Sequence, residues 1–291
     1  NLDFTRKLTY TAAAGSAAWT IEVKGLLGGH SGERIGDGRG NALRTMAMAV
    51  AALQAKGSVE LAALTGGKAR NAIPNDARAV IVTDLSKADI EAVLNDQRVR
   101  FQKMYGNVDP DMAFVLTSVE KPAEVIAAED TMRLIRLLTI LHTGVYAMST
   151  VIPGLVETSA NLGVVTMDDG EVAVQYFPRS AVDQKLDEFR FMAEEWAELT
   201  GFTAHIGTQS PGWKENKDSK LAKIMAETFK EQNGSEMKVE TIHAGLECGW
   251  HFLKNPNLDM VSIGVTTIDI HSPNETALLE TVNPPLDLYT E

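Results

Sequence analysis

The chain has 291 residues, 44% of them hydrophobic, and carries a formal net charge of −12 at pH 7. That length suits two domains of ordinary size better than one, and the apolar fraction is ample for a real core. The acidic balance argues against nucleic acid or an anionic membrane as a partner, and no run approaches the roughly 18 uninterrupted apolar residues of a membrane span.

Cys248 is the single cysteine, so no intrachain disulfide can form. A reducing compartment and a soluble, cytoplasmic protein are expected. The sequence begins at Asn1 with no initiator Met and no signal-like segment, which reads as the interior of something longer.

Residues 1–10 are too few to suggest an element and read as a connector. Trp19 to Val23 alternates apolar and polar, the pattern of a half-buried strand. Gly28-Gly29-His30-Ser31-Gly32 follows, and then Gly36-Asp37-Gly38-Arg39-Gly40-Asn41. These glycines permit positive φ and close approach, so His30 is presented on a turn rather than packed. Leu43, Met46, Ala47, Val50 and Leu53 recur at helical spacing behind Asn41, a good N-cap. Strands are expected at Val59 to Leu64 and at Arg78 to Thr83. Ser86 caps a helix reaching about Tyr105, and Ala113 to Val119 reads as a strand. This βαββαβ order predicts an open-faced α+β sandwich with its helices on one face of a sheet.

Further on, Asp130 to Leu141 is helical. Thr158 to Val165 and Val172 to Phe177 read as strands joined at an Asp-Gly hairpin, Asp169-Gly170. Val182 to Leu199 is an amphipathic helix and Phe202 to Thr208 a further strand, material that extends the same sheet. The composition shifts over residues 210–218, the best linker candidate. Beyond it the pattern is α/β: a helix at Ser219–Gln232, a strand at Met237–His243, a short helix to about Leu253, a strand at Met260–Gly264 and a helix near Glu275–Thr281.

Several residues could carry chemistry. His271 follows a strand-like run, where ligands of α/β sheets gather, so it suits zinc as well as it suits a capping role; zinc needs three or four protein donors. Thr241 to Gly249 sets glycines around Glu247-Cys248, so backbone N–H groups there could face a ligand carboxylate. Cys248 reads as a nucleophile only if a histidine such as His243 or His251 lies beside it in space, and otherwise as a small buried hydrophobe. Arg70 offers a bidentate donor set and Asn71 an amide, although Gly66 to Pro74 also reads as a plain hairpin loop. His142 and His205 read as ordinary histidines.

Five segments in order resemble one family: Gly28–Gly32 with Gly38–Ala42, Gly66–Pro74, Glu157–Gly163, His243–Gly249 and His271–Glu275. Over essentially its whole length the chain resembles the Xaa-His dipeptidase branch (aminoacyl-histidine dipeptidase, cytosol non-specific dipeptidase) of the dizinc aminoacylase/carboxypeptidase/carnosinase-like peptidases. The resemblance implies a lid domain inserted into an α/β catalytic domain. Residues 1–11 would then be a connector, 12–210 the lid and dimerisation domain, and 211–291 the C-terminal part of the catalytic domain. It implies two zinc ions (other divalent metals being possible), a metal-activated water, a small peptide substrate and a homodimer formed through the lid.

By the same resemblance His271 is the last zinc ligand, and His30 is the lid histidine that reaches the partner subunit's site. Arg70, Asn71, Asn161 and Arg179 are lid residues that contact substrate. Gly245, Glu247, Cys248 and Gly249 line the substrate pocket, which makes Cys248 a wall residue. The remaining zinc ligands and the general-base glutamate of the family precede its lid and have no counterpart here, so this chain alone is expected to be inactive. Val265 to Ile270 also departs from the Gly-Pro-Thr run frequent in relatives. The alternative is a non-catalytic dimerisation or binding module that keeps the lid fold.

Overall fold

The computed structural model describes residues 1–150, 152–208, 211–213, 216, 218–240, 246–268 and 275–290. The first strand, β1 (Leu2–Lys7), is followed by a short β2 (Tyr10–Ala12) and by β3 (Ala17–Lys24). The two-residue β4 (Gly29–His30) precedes α1 (Ala42–Lys56), β5 (Val59–Gly66), the two-residue β6 (Ala72–Ile73) and β7 (Ala77–Thr83). Then come α2 (Lys87–Tyr105), β8 (Ala113–Val119), β9 (Glu124–Ile126), α3 (Ala128–Ile140), β10 (Gly144–Met148), β11 (Val156–Asp168) and β12 (Glu171–Ser180). α4 (Asp183–Thr200) and β13 (Thr203–Ile206) end this part of the chain.

Nine of these strands form one antiparallel sheet in the order β13-β1-β12-β11-β5-β7-β3-β8, with β10 on the other path from β11. The segment β3-α1-β5-β7-α2-β8 is the βαββαβ unit read from the sequence, its strands ordered β5-β7-β3-β8. β10 to β13 extend that sheet with β1. The two halves meet at a single register pair, Val165 of β11 opposite Gly66 of β5.

Local chemistry explains the elements. The Asn41 side chain accepts from the Arg44 amide, and Ser86 accepts from the Asp89 amide, so both helices open on the caps their sequences predict. Asp169 (φ 45°) and Gly170 (φ 72°) both adopt positive φ at the β11–β12 hairpin, as a tight Asp-Gly turn demands. Leu43, Met46, Val50 and Leu53 of α1, Ile90 and Leu94 of α2, Leu134 and Leu138 of α3, and Phe189 of α4 bury against one face of the sheet with Ile21, Leu61, Ile81, Leu162 and Val174. That burial against a continuous apolar face supplies the main stabilisation of the fold.

Residues 1–10 correct the connector reading. β1 pairs with β12 on one side and β13 on the other, and Leu2 and Phe4 are buried in the main core. Its alternation is short, and its partners lie far along the chain, so no local signal marks it. β1 is also tied to α3. Arg6 Nη2 lies 2.7 Å from Asp130 Oδ1, and the Thr9 amide donates to Asp130 Oδ2 at 2.7 Å. Burial alone would raise the Asp130 carboxyl, but the Thr9 amide and the Arg6 guanidinium outweigh it and hold it below the usual aspartate value.

The C-terminal third departs further from expectation. α5 (Lys220–Asn233) and α6 (Cys248–Lys254) form where helices are predicted, each close to its expected bounds. Met260–Gly264 takes no strand conformation, and of the predicted strand at Met237–His243 the described residues 237–240 are irregular while 241–243 lie outside the described residues. The helix placed near Glu275–Thr281 is instead β15 (Thr276–Ala277), paired with β14 (Thr267–Ile268), and a 3-10 turn at Leu279–Thr281. The helix itself comes later, as α7 (Asn283–Thr290). A strand needs a ladder partner and a covered face, and among the described residues Met260–Gly264 has neither: Ile263 and the neighbouring Val265 are each 41% exposed. α5 buries no residue among those described, and Ile224 on it is 59% exposed.

Candidate functional site

The glycine turn folds as its composition requires. Gly28 (φ +61°) lies so close to its surroundings that a Cβ would sit 2.8 Å from the Ile73 carbonyl oxygen. At Gly29 (φ +113°) a Cβ would sit 2.8 Å from Arg39 Nη1. Neither position admits a side chain without displacing its neighbours. The chain then enters β4, where Gly29 faces Ile73 and His30 faces Ala72 of β6. The Ser31 amide donates to the Asn71 carbonyl at 2.8 Å, and the Arg34 amide donates to the His30 carbonyl at 2.9 Å.

Three segments far apart in sequence therefore meet at the seam between the two half-sheets. His30 on β4 stands beside Arg70 and Asn71, which lead into β6. Asn161 on β11 crosses the seam: its Nδ2 donates to the Arg70 carbonyl at 2.9 Å and to the Ala72 carbonyl at 2.7 Å. Gly163 permits the approach, since a Cβ there would sit 2.7 Å from Arg70 Cα. Asn41 makes a second tie across the seam by donating to the Leu162 carbonyl at 2.8 Å.

The structure thus brings together four of the residues singled out from the sequence, in distinct roles. Asn161 is 1% exposed and commits its amide to backbone carbonyls, so it holds the Arg70–Ala72 segment in place. Arg70 extends its guanidinium to Asp3 of β1, with Nη1 3.3 Å from Oδ1. Asn161→Ala should cost about 1–3 kcal/mol, the penalty for leaving buried carbonyls without their donor. Urea denaturation of the variant measures it, and an unchanged midpoint would show that the two bonds contribute nothing.

Arg179 lies in β12, in register with Ser159. Its guanidinium stacks over Phe177, with Cζ 4.5 Å from the ring centroid. Burial pulls its pKa down to about 10, so the group stays protonated at neutral pH. A planar cation held against an aromatic ring is suited to bidentate recognition of a carboxylate.

Glu247, Cys248 and Gly249 open α6. Gly249 is buried against the chain at Pro211, whose carbonyl oxygen would sit 2.6 Å from a Cβ at that position. Gly212 lies against the start of α4, where its amide donates to Asp183 Oδ1 at 3.2 Å. Gly245 and His271 lie outside the described residues. Among the described residues no group of three or more His, Cys, Asp or Glu could hold a metal ion, and no helix is long and apolar enough to cross a membrane.

Sequence reasoning missed Asp109 and the role of Arg39. Asp109 is completely buried and accepts from the Leu27 and Gly40 amides, each at 2.7 Å. Arg39 donates from Nη2 to Asp37 Oδ2 at 2.9 Å and from Nη1 to the Gly28 carbonyl. The one sequence signal for Asp109 is an Asp-Pro step just past the end of α2, which marks a turn but names no partner.

Comparison with known proteins bears on this arrangement. Residues 15–109 match the family described as peptidase dimerisation domain. The match ends at the Asp109 clasp and includes the His30 turn and the Arg70–Ala72 segment. The whole chain is 33% identical, over 294 aligned residues, to the cytosol non-specific dipeptidase of Escherichia coli strain K12, and spans 61% of that protein's length. Its fold matches the crystal structure of aminoacylhistidine dipeptidase from Vibrio alginolyticus with a TM-score of 0.86 and 33% identity, over 99% of this chain and 59% of that one. The chain therefore spans about three-fifths of the length of each relative.

Proposed function

We propose that this chain serves a dipeptidase that hydrolyses small peptides, Xaa-His dipeptides among them, with a metal-activated water. The observation that carries the reading is 33% identity along the whole of this chain to part of a cytosol non-specific dipeptidase, with the His30, Arg70, Asn71 and Asn161 segments folded onto one seam. Residues 12–210 act as lid and dimerisation domain and 211–291 as part of the catalytic domain. The exposed apolar side chains of that last segment support packing against further polypeptide.

Zinc is the metal we assign, two ions per active site, located in the cytoplasm with the rest of the enzyme. When bound, zinc polarises the scissile carbonyl and lowers the pKa of its water. The described residues supply no complete donor set, and His271 would be a ligand contributed by this chain. The chain's own residues bind and orient. His30 presents its imidazole as a donor toward the substrate or its oxyanion across a homodimer. Arg179 receives the peptide carboxylate, and Glu247, Cys248 and Gly249 line the pocket with Gly245.

Among the described residues there is no complete metal donor set, and we expect no dipeptide turnover from the 291-residue chain by itself. Dipeptide hydrolysis by the zinc-loaded enzyme, abolished by chelation and restored by added zinc, tests the assignment. Hydrolysis that survives chelation but is lost with Cys248→Ala would replace it with a cysteine hydrolase.

A further inference from the structure

We infer that Asp109, assisted by Arg39, is the positioning residue that fixes His30 for the proposed dipeptidase reaction. The inference rests on that reading of His30, but its structural part does not. Asp109 closes the loop like a clasp: Oδ1 takes the Leu27 amide before the turn and Oδ2 takes the Gly40 amide after it. Everything between these two donors, His30 included, is thereby held at both ends by one carboxylate. The carboxylate is itself fixed, because the Asp109 amide donates to the Tyr105 carbonyl at the end of α2 at 2.8 Å. Gly40 packs directly on Phe101 of the same helix, its missing Cβ falling 2.5 Å from Phe101 Cζ.

Arg39 adds the middle point. Its fork grips Asp37 from Nε and Nη2, while Nη1 holds the Gly28 carbonyl two residues before His30. The turn thus has three ties to groups outside it or across it, besides the Ser31–Asn71 bond to β6. A catalytic side chain must be held within a fraction of an ångström of its productive place, and misplacement alone can cost about 10²-fold.

The test is Asp109→Asn in the 291-residue chain and in the zinc-loaded enzyme that contains it. Asparagine keeps the shape but turns a donor toward one of the two amides. In the chain alone, hydrogen exchange at Leu27 and Gly40 should accelerate at least 10-fold, while exchange in the core of α1 and β7 stays as it was. In the enzyme, kcat should fall roughly 10-fold or more with KM and zinc content little changed. In a His30→Ala background the same substitution should have no further effect on kcat. Arg39→Gln should act in the same direction, and serves alone if Asp109→Asn fails to fold.

Unchanged exchange at both amides overturns the clasp whatever the enzyme does. An equal fall in kcat with and without His30 overturns the positioning role. If His30→Ala itself leaves kcat untouched while the exchange result holds, the clasp stands and the dipeptidase role of His30 fails.

Discussion

If His30 serves the proposed role, replacing it with alanine should lower kcat of the zinc-loaded enzyme by about 10²–10³-fold, the usual effect of removing one preorganised donor from a developing oxyanion. Zinc content stays as in the parent, because His30 sits on a two-residue strand against β6, among Arg70, Asn71 and Asn161, and belongs to no cluster of metal donors among the described residues. Steady-state kinetics and metal analysis on the same preparation separate the possibilities. Zinc lost together with activity would make His30 a ligand, and undiminished turnover would remove it from the site.

The largest stability effect is expected at Asp130. The carboxylate is 4% exposed and receives the Arg6 guanidinium and the Thr9 amide, tying β1 to α3. Arg6 is a quarter exposed, so the cost of Asp130→Ala falls at the low end for breaking a buried pair, about 3 kcal/mol. The pH dependence follows from the sign of the shift. The folded-state pKa lies below the ordinary aspartate value, so the contribution is fully present above about pH 4 and is lost as pH falls through the folded value. Urea denaturation of parent and variant should differ by that amount at pH 7 and by less in acid. A difference that does not shrink as the pH falls would show that the carboxylate's charge has no part in it.

What could be read in advance was whatever is written in short range. Asn41 and Ser86 cap helices through their own side chains, Asp169-Gly170 makes a hairpin because two consecutive residues accept positive φ, and Gly28-Gly29 makes a turn because a Cβ fits at neither. Features set by partners distant in sequence were not legible. β1 is six residues whose neighbours in the sheet lie more than 160 positions away, at 171–176 and 203–206. Asp109 reaches back 69 and 82 positions to its two amides. The C-terminal strands failed for a related reason: Met260–Gly264 has the composition of a buried strand, and that composition yields a strand only where a neighbouring strand and a covering layer exist.

Of the candidate site, His30 and the Arg70-Asn71 pair were singled out on two glycine-flanked segments and tied together only by the family resemblance. The division of labour was not. Asn161 looked like a substrate contact, and the fold gives its amide to two carbonyls. Nothing local distinguishes a buried asparagine that braces backbone from one that meets a ligand, because both need the same amide.

Under the proposed function, His30 and His271 of this chain both serve a two-zinc dipeptidase. The most direct test is zinc stoichiometry and dipeptide turnover of the 291-residue chain, alone and combined with the part of the Escherichia coli dipeptidase that lies outside the matched region. Neither double zinc nor turnover is expected for the chain alone, and both are expected for the combination, with both lost on His271→Ala. Two zinc ions and robust turnover in the chain alone, or a stable zinc-loaded combination that hydrolyses no dipeptide, would contradict it.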